Sequence, residues 1–176
     1  MPSGPLTQRP LAKRIPAPGE DGTVDFAEAQ REEVRTWLQV VKAVLPLERD
    51  LNKQFAREFG QSLPRFDVLN QLDLEGDCGL PVGTLAERLI ASAGNITRLI
   101  TRMLDEGLVT RVPDARDRRR EIVFITPKGR ALYRDMARAH ARWTSHHFGD
   151  FSTAEKSELQ SLMRKLRNSL ISAKPE

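Results

Sequence analysis

Apolar positions at helical spacing begin near Phe26 and return in blocks along the chain. Val34, Leu38, Val41, Leu45, Phe55 and Phe59 fall on one face of a long first helix. Pro46 lies inside that pattern and predicts a kink or a split into two helices, because proline lacks the N–H and crowds the preceding turn. Gly60 ends the pattern. Leu63-Pro64-Arg65-Phe66 opens a short second helix carrying Phe66, Leu69 and Leu72, and Gly76, Gly79 and Pro81 mark a loop. Two tightly joined helices follow. In the first, Val82, Leu85, Ala86 and Leu89 fall at i, i+3, i+4, i+7; in the second, Ile96, Leu99, Ile100, Met103 and Leu104 form a complete core-facing stripe. Ser92 is placed to cap the second of these helices, and Gly107 to stop it.

The period then changes. Leu108–Val112 and Glu121–Ile125 read as strands on either side of the polar stretch Pro113–Arg120. Thr126-Pro127 is a helix start, a capping hydroxyl followed by proline at the first helical position, and that helix runs to about Phe148. Ser152-Thr153-Ala154-Glu155 is a capping box opening a last helix, with Leu159, Leu162, Met163, Leu166 and Leu170 on one face. There is no internal repeat. Four helices, a hairpin, a long helix and a last helix predict a mainly α fold whose middle is a winged helix-turn-helix. Ahead of it all, residues 1–24 hold five prolines and three glycines, which predicts a flexible arm with a solvated basic cluster of Arg9, Lys13 and Arg14.

Composition narrows the chemistry. At 176 residues the chain has room for about one domain and a tail. Its single cysteine, Cys78, excludes an intramolecular disulfide framework and a cysteine-based metal site. His146 and His147 are adjacent and so point apart on a helix, and His140 adds no ligand spacing, so neither metal nor cofactor is expected. The sequence contains no Gly-rich phosphate loop and no G-x-S-x-G nucleophile motif, so no enzyme is expected and no catalytic residue is assigned. No apolar run approaches the ~18–20 residues of a membrane span, and the beginning of the chain lacks the apolar stretch of a secretory signal. The expectation is a cytoplasmic protein.

The net charge is +4, and its placement matters more than its size. Between Val82 and Arg130 there are ten Lys/Arg and six Asp/Glu, so the excess of that segment equals the excess of the whole chain. On the helix opposite the Ile96–Leu104 stripe stand Asn95, Arg98 and Arg102, with Thr97 and Thr101 beside them. Arginine can fork onto guanine O6 and N7 and asparagine can pair with adenine N6 and N7, while a helix N-terminus favours a phosphate. Gly94 permits close backbone approach. The hairpin tip holds Arg116, Arg118, Arg119 and Arg120 within five residues, chemistry suited to a narrow minor groove. Asp114 and Asp117 share that turn and are placed to brace it.

These residues resemble the MarR family of bacterial winged-helix regulators. The carriers are Leu85-Ala86-Glu87-Arg88-Leu89, Ser92 with Asn95-Ile96-Thr97-Arg98-Leu99-Ile100, Glu106-Gly107-Leu108-Val109-Thr110-Arg111, the wing Asp114-Ala115-Arg116-Asp117-Arg118-Arg119, and Ile125-Thr126-Pro127-Lys128-Gly129-Arg130. The resemblance implies a homodimer built by the N- and C-terminal helices, bound to a pseudo-palindromic operator in double-stranded DNA and released by a small ligand. It places base or phosphate contacts at Asn95, Thr97 and Arg98 and the minor-groove arginine at Arg116 or Arg118, with Asp114 and Asp117 bracing the wing; Ser92, Arg102 and Arg119 are further candidate DNA contacts. The implied division is a flexible arm over 1–25, an N-terminal dimerisation region over 26–62, the winged helix-turn-helix over 63–126 and C-terminal dimerisation helices over 127–176.

The segment Leu63-Pro64-Arg65-Phe66-Asp67-Val68-Leu69 resembles the branch that controls aromatic-acid catabolism. That implies a repressor released by an aromatic carboxylate or its CoA thioester. Trp37, Arg65, Phe66, His140 and Trp143 are the candidate ligand residues, Arg65 as a bidentate partner for a carboxylate or phosphate. Competing readings are a thiol-responsive regulator acting through Cys78 and a winged-helix module for protein docking. The cysteine of the family's peroxide-sensing branch stands near the start of the first long helix, and Cys78 does not match it.

Overall fold

The computed structural model describes residues 28–115, 117 and 120–172, with side chains from Gln30 onward. The arm and three of the wing arginines, Arg116, Arg118 and Arg119, lie outside the described residues. The elements are helices α1 (Glu28–Phe59) and α2 (Leu63–Glu75), strand β1 (Leu80–Pro81), helices α3 (Val82–Arg88) and α4 (Ala93–Asp105), strands β2 (Val109–Pro113) and β3 (Glu121–Ile125), and helices α5 (Pro127–His147) and α6 (Thr153–Ser172). Pro46 does not split the first helix: α1 is one element with the proline inside it.

The chain divides into two compact units, 1–47 and 48–176. The described part of the first is the leading portion of α1, where Val34, Trp37, Leu38, Val44 and Leu45 are all exposed.

The second unit is built on local signals that the amino-acid order carries. Ser92 Oγ accepts from the Asn95 N–H at 3.3 Å and starts α4. Thr126 Oγ1 accepts from the Gly129 N–H at 3.0 Å and donates to the Gly107 carbonyl at 2.8 Å, so one hydroxyl starts α5 and ties it to the end of α4. Gly129 is required by space: a β-carbon there would lie 2.0 Å from the Leu108 carbonyl oxygen. The capping box forms, with the Ser152 N–H donating to Glu155 Oε2 at 2.8 Å and the Glu155 N–H to Ser152 Oγ at 3.3 Å.

Strands β2 and β3 pair antiparallel from Val109↔Ile125 to Pro113↔Glu121. A strand that sequence reading missed, β1, adds to the other side of β3 with Leu80 opposite Val123, giving the order β1-β3-β2. This is the wing. The core runs beneath it without a break: Phe55 from α1, Phe66, Leu69 and Leu72 from α2, Leu85 from α3, Ile96, Ile100 and Met103 from α4, Val109 and Val123 from the sheet, and Met136 from α5. No residue of α6 is buried, and Leu162, Met163, Leu166, Leu170 and Ile171 are exposed along it. No helix among the described residues is long and apolar enough to cross a membrane.

Candidate nucleic-acid interface

The two faces of α4 separate by chemistry. Ile96, Ile100 and Met103 are buried against the core, which fixes the roll of the helix and leaves Asn95, Thr97, Arg98 and Arg102 exposed on the other side. Arg98 Nη2 donates to Asn95 Oδ1 at 2.5 Å, so the two residues best suited to base edges already stand together one turn apart. The Thr97 and Thr101 hydroxyls donate to the Ala93 and Thr97 carbonyls at 2.8 and 3.0 Å. Ser92 spends its oxygen on the cap, and Gly94 beside it has nothing within 4 Å of where a β-carbon would stand. The start of α4 therefore presents backbone, a hydroxyl, an amide and a guanidinium to an approaching ligand.

The wing is closed by its own backbone. The Asp114 N–H donates to the Arg120 carbonyl at 2.9 Å and the Arg120 N–H to the Asp117 carbonyl at 2.8 Å, while Arg111 on β2 pairs with Glu121 on β3 at 2.9 Å. Asp114 and Asp117 thus stand in the closing turn. Arg120 is exposed there.

α4 is held from behind by a charged clamp. Arg65, only 9% exposed, sends Nη1 to Glu106 Oε2 at 2.9 Å and Nη2 to Glu106 Oε1 at 2.5 Å, and Nη1 also donates to Gln61 Oε1 at 2.6 Å. Glu106 caps the C-terminal end of α4, and Lys128 Nζ at the start of α5 donates to its carbonyl at 2.7 Å. The hydrogen bonds from Arg65 hold the Glu106 carboxyl below the usual glutamate range. Sequence reading offered Arg65 to a ligand carboxylate. In the structure that fork is filled by a carboxylate of the chain itself.

Three other candidate ligand residues do come together. Phe66 lies 4.9 Å from the His140 ring, and Phe55 lies 5.0 Å from Phe66, 5.9 Å from His140 and 5.0 Å edge-on from Trp143. Phe59 and Tyr133 complete the cluster at 6.4 Å from Trp143 and 5.7 Å from Phe66. Burial pushes the His140 imidazole below its ordinary pKa, so the neutral ring packs here at neutral pH. Tyr133 OH donates to Asn70 Oδ1 at 2.7 Å and Arg130 pairs with Asp73 at 2.6 Å, which together lock α5 onto α2. Trp37 stands in the first unit and is 62% exposed. An open groove of about 840 Å³ lies elsewhere, between α5 and α6, lined by Phe148, Leu159, Met163, Arg164 and Arg167 among others.

Residues 59–120, from the end of α1 to the tip of the wing, match the model of the MarR family. That match is confined to the winged-helix segment, 62 of the chain's 176 residues. The transcriptional activatory protein BadR of Rhodopseudomonas palustris is 43% identical over 75 residues, which cover 42% of this chain and 43% of BadR. The alignment therefore spans less than half the length of that curated relative. Among solved structures, AbsC, a MarR family transcriptional regulator from Streptomyces coelicolor, superposes with a TM-score of 0.71 at 26% identity, covering 85% of this chain and 99% of its own. A second MarR family transcriptional regulator from the same organism, solved in complex with DNA, reaches a TM-score of 0.75 at 21% identity over 83% of this chain and 91% of its own. The fold and the relatives are those of MarR transcriptional regulators, not of enzymes.

Proposed function

We propose that the protein is a sequence-specific, double-stranded-DNA-binding transcriptional regulator that works as a homodimer on a pseudo-palindromic operator. The observation that carries this is the exposed face of α4, where Asn95 and Arg98 stand together above a helix N-terminus on an α-helix rolled by its own core stripe. Asn95, Arg98 and Arg102 read bases or phosphates in the major groove, with Ser92 and Thr97 beside them. The wing, with Arg116, Arg118 and Arg119 and its turn braced by Asp114 and Asp117, enters the adjacent minor groove. A second copy covers the exposed apolar faces of α1 and α6, since surfaces of that kind are rarely left to water.

Arg98→Ala tests the major-groove role. The variant should lose about 1–3 kcal/mol of operator affinity and change which bases are preferred at one position of each half-site. Binding profiles on a randomised duplex pool measure both. A loss that is uniform over all sequences makes Arg98 a phosphate contact instead.

The finer reading is a repressor in the cytoplasm, released by an aromatic carboxylate or its CoA thioester. Its support is the aromatic set of Phe66, His140 and Trp143 in one cluster, with Trp37 exposed as a further aromatic surface. A ligand acts there only through its differential affinity for the DNA-bound and free conformations, typically 1–3 kcal/mol of coupling, or about 5–150-fold in operator affinity. The check is operator affinity with a panel of benzoates, hydroxycinnamates and their CoA esters. One of them should weaken binding within that range; a curve that none of them moves removes the effector and leaves the DNA reading standing.

A further inference from the structure

The turn between α3 and α4 contains a residue that gains nothing from the fold. The Ala91 N–H donates to the Ala86 carbonyl at 2.9 Å and the Ile90 N–H to the Glu87 carbonyl at 3.2 Å. That pair of bonds is the Schellman ending of a helix, and it puts the residue between them in the left-handed region. Helix α4 ends in the same way, with Leu108 N–H to Met103 at 2.9 Å and Gly107 N–H to Leu104 at 2.9 Å, and there the left-handed residue is Gly107 at φ 68°. Helix α1 likewise runs out at Gly60, φ 63°. In α3 the position is held by Ile90 at φ 52°, the only non-glycine with positive φ among the described residues.

A β-branched side chain in that region is a conformational outlier, because Cβ crowds the neighbouring carbonyl. Packing does not repay the strain: Ile90 is 93% exposed, the highest exposure of any large apolar residue described. Glycine in its place removes both the strain and the hydrated apolar surface. Strain that the fold itself does not repay marks a position held for another purpose.

The location names the purpose. Ile90 is two residues ahead of Ser92, the N-cap of α4, so its Cα lies within ~7.6 Å of the cap. The exposed residues that follow, Ser92, Ala93, Gly94 and Asn95, are the approach face of the reading helix. We propose that Ile90 is a specificity-determining residue, whose side chain is buried in the complex against a thymine C5-methyl group at the edge of the major groove. This inference rests on the DNA-binding reading above. Thymine's methyl is the apolar mark that the major groove offers, and an isoleucine at the mouth of an otherwise polar interface is its complement.

The test uses the full-length protein and a duplex that it selects from a random pool. Each thymine of that duplex is replaced in turn by deoxyuridine, which keeps every base-pairing hydrogen bond and deletes only the methyl. At one thymine per half-site the replacement should weaken wild-type binding about 5–20-fold across the dimer, the scale of burying a methyl twice. Ile90→Gly should bind the unmodified duplex weaker by a similar factor, ignore the uracil at that same position, and melt ~2–4 °C higher because the strain is gone. Ile90→Asn, which tolerates the left-handed region, should behave as the glycine variant does. Wild-type affinity in both variants overturns the inference, and so does a variant that remains sensitive to every uracil. Failure of the wild-type protein to select any duplex overturns the DNA-binding reading and this inference with it.

Discussion

Phe55→Ala should cost about 3–5 kcal/mol and lower the thermal midpoint by on the order of 10 °C, the largest stability loss expected from one substitution in this chain. Phe55 is fully buried, and four rings surround it: Phe66 stacked and Trp143 edge-on at 5.0 Å, His140 at 5.9 Å and Phe59 at 6.4 Å. Those rings come from α1, α2 and α5, so the side chain is the point at which three helices of the larger unit share one contact. Truncation removes the transfer free energy of a benzyl group and leaves a void that rigid aromatic neighbours fill poorly. Leu74, 72% exposed at the end of α2, is the control: Leu74→Ala should change stability by less than ~0.5 kcal/mol. Chemical denaturation of the two variants beside wild type decides it. A Phe55→Ala loss under ~1 kcal/mol would show that the aromatic cluster is not a keystone of the fold.

What the sequence could show divides along the range of the interactions. Ser92, Thr126 and the Ser152–Glu155 box act on backbone three residues away, and each forms the cap expected of it. The α4 stripe was equally legible, because Ile96, Ile100 and Met103 repeat at the helix's own period and so fix which side faces out. Strand β1 was not, since two residues including a proline carry no alternation; it exists because β3 offers it a free edge. Of the kink or split that Pro46 predicts, the split does not occur, propensity at one position being outweighed by a long helical pattern on both sides.

Arg65 shows the limit for function. An arginine at a helix start looks available from the sequence. Its partner Glu106 is 41 positions away and becomes visible only when α2 and α4 are packed. The pairing sets the end of α4 against α2, next to Phe66 in the aromatic cluster. Ile90 is the converse case. The rule that puts glycine after a helix is sound at Gly60 and Gly107, and among the described residues the turn that sets a non-glycine there stands at the mouth of the proposed interface.

Operator affinity should fall by ~10³–10⁵ between 50 and 200 mM salt, the largest effect expected of any condition on this protein. The whole chain carries only +4, yet a surplus of four positive charges lies within residues 82–130 alone, with Arg98, Arg102 and Arg120 exposed on the reading helix and the wing turn. In a dimer two such modules face the duplex. If each engages three to five phosphates, about 6–10 counterions are released on binding, and log affinity falls with log salt at a slope of roughly −5 to −9. Within that segment Arg88 and Arg130 are already paired with carboxylates of the chain, which leaves the phosphates to the reading helix and the wing. Affinities measured at five or six salt concentrations give the slope directly. A slope shallower than about −2 would leave too few phosphate contacts for two helices and two wings, and would return the winged helix to a docking role on another protein.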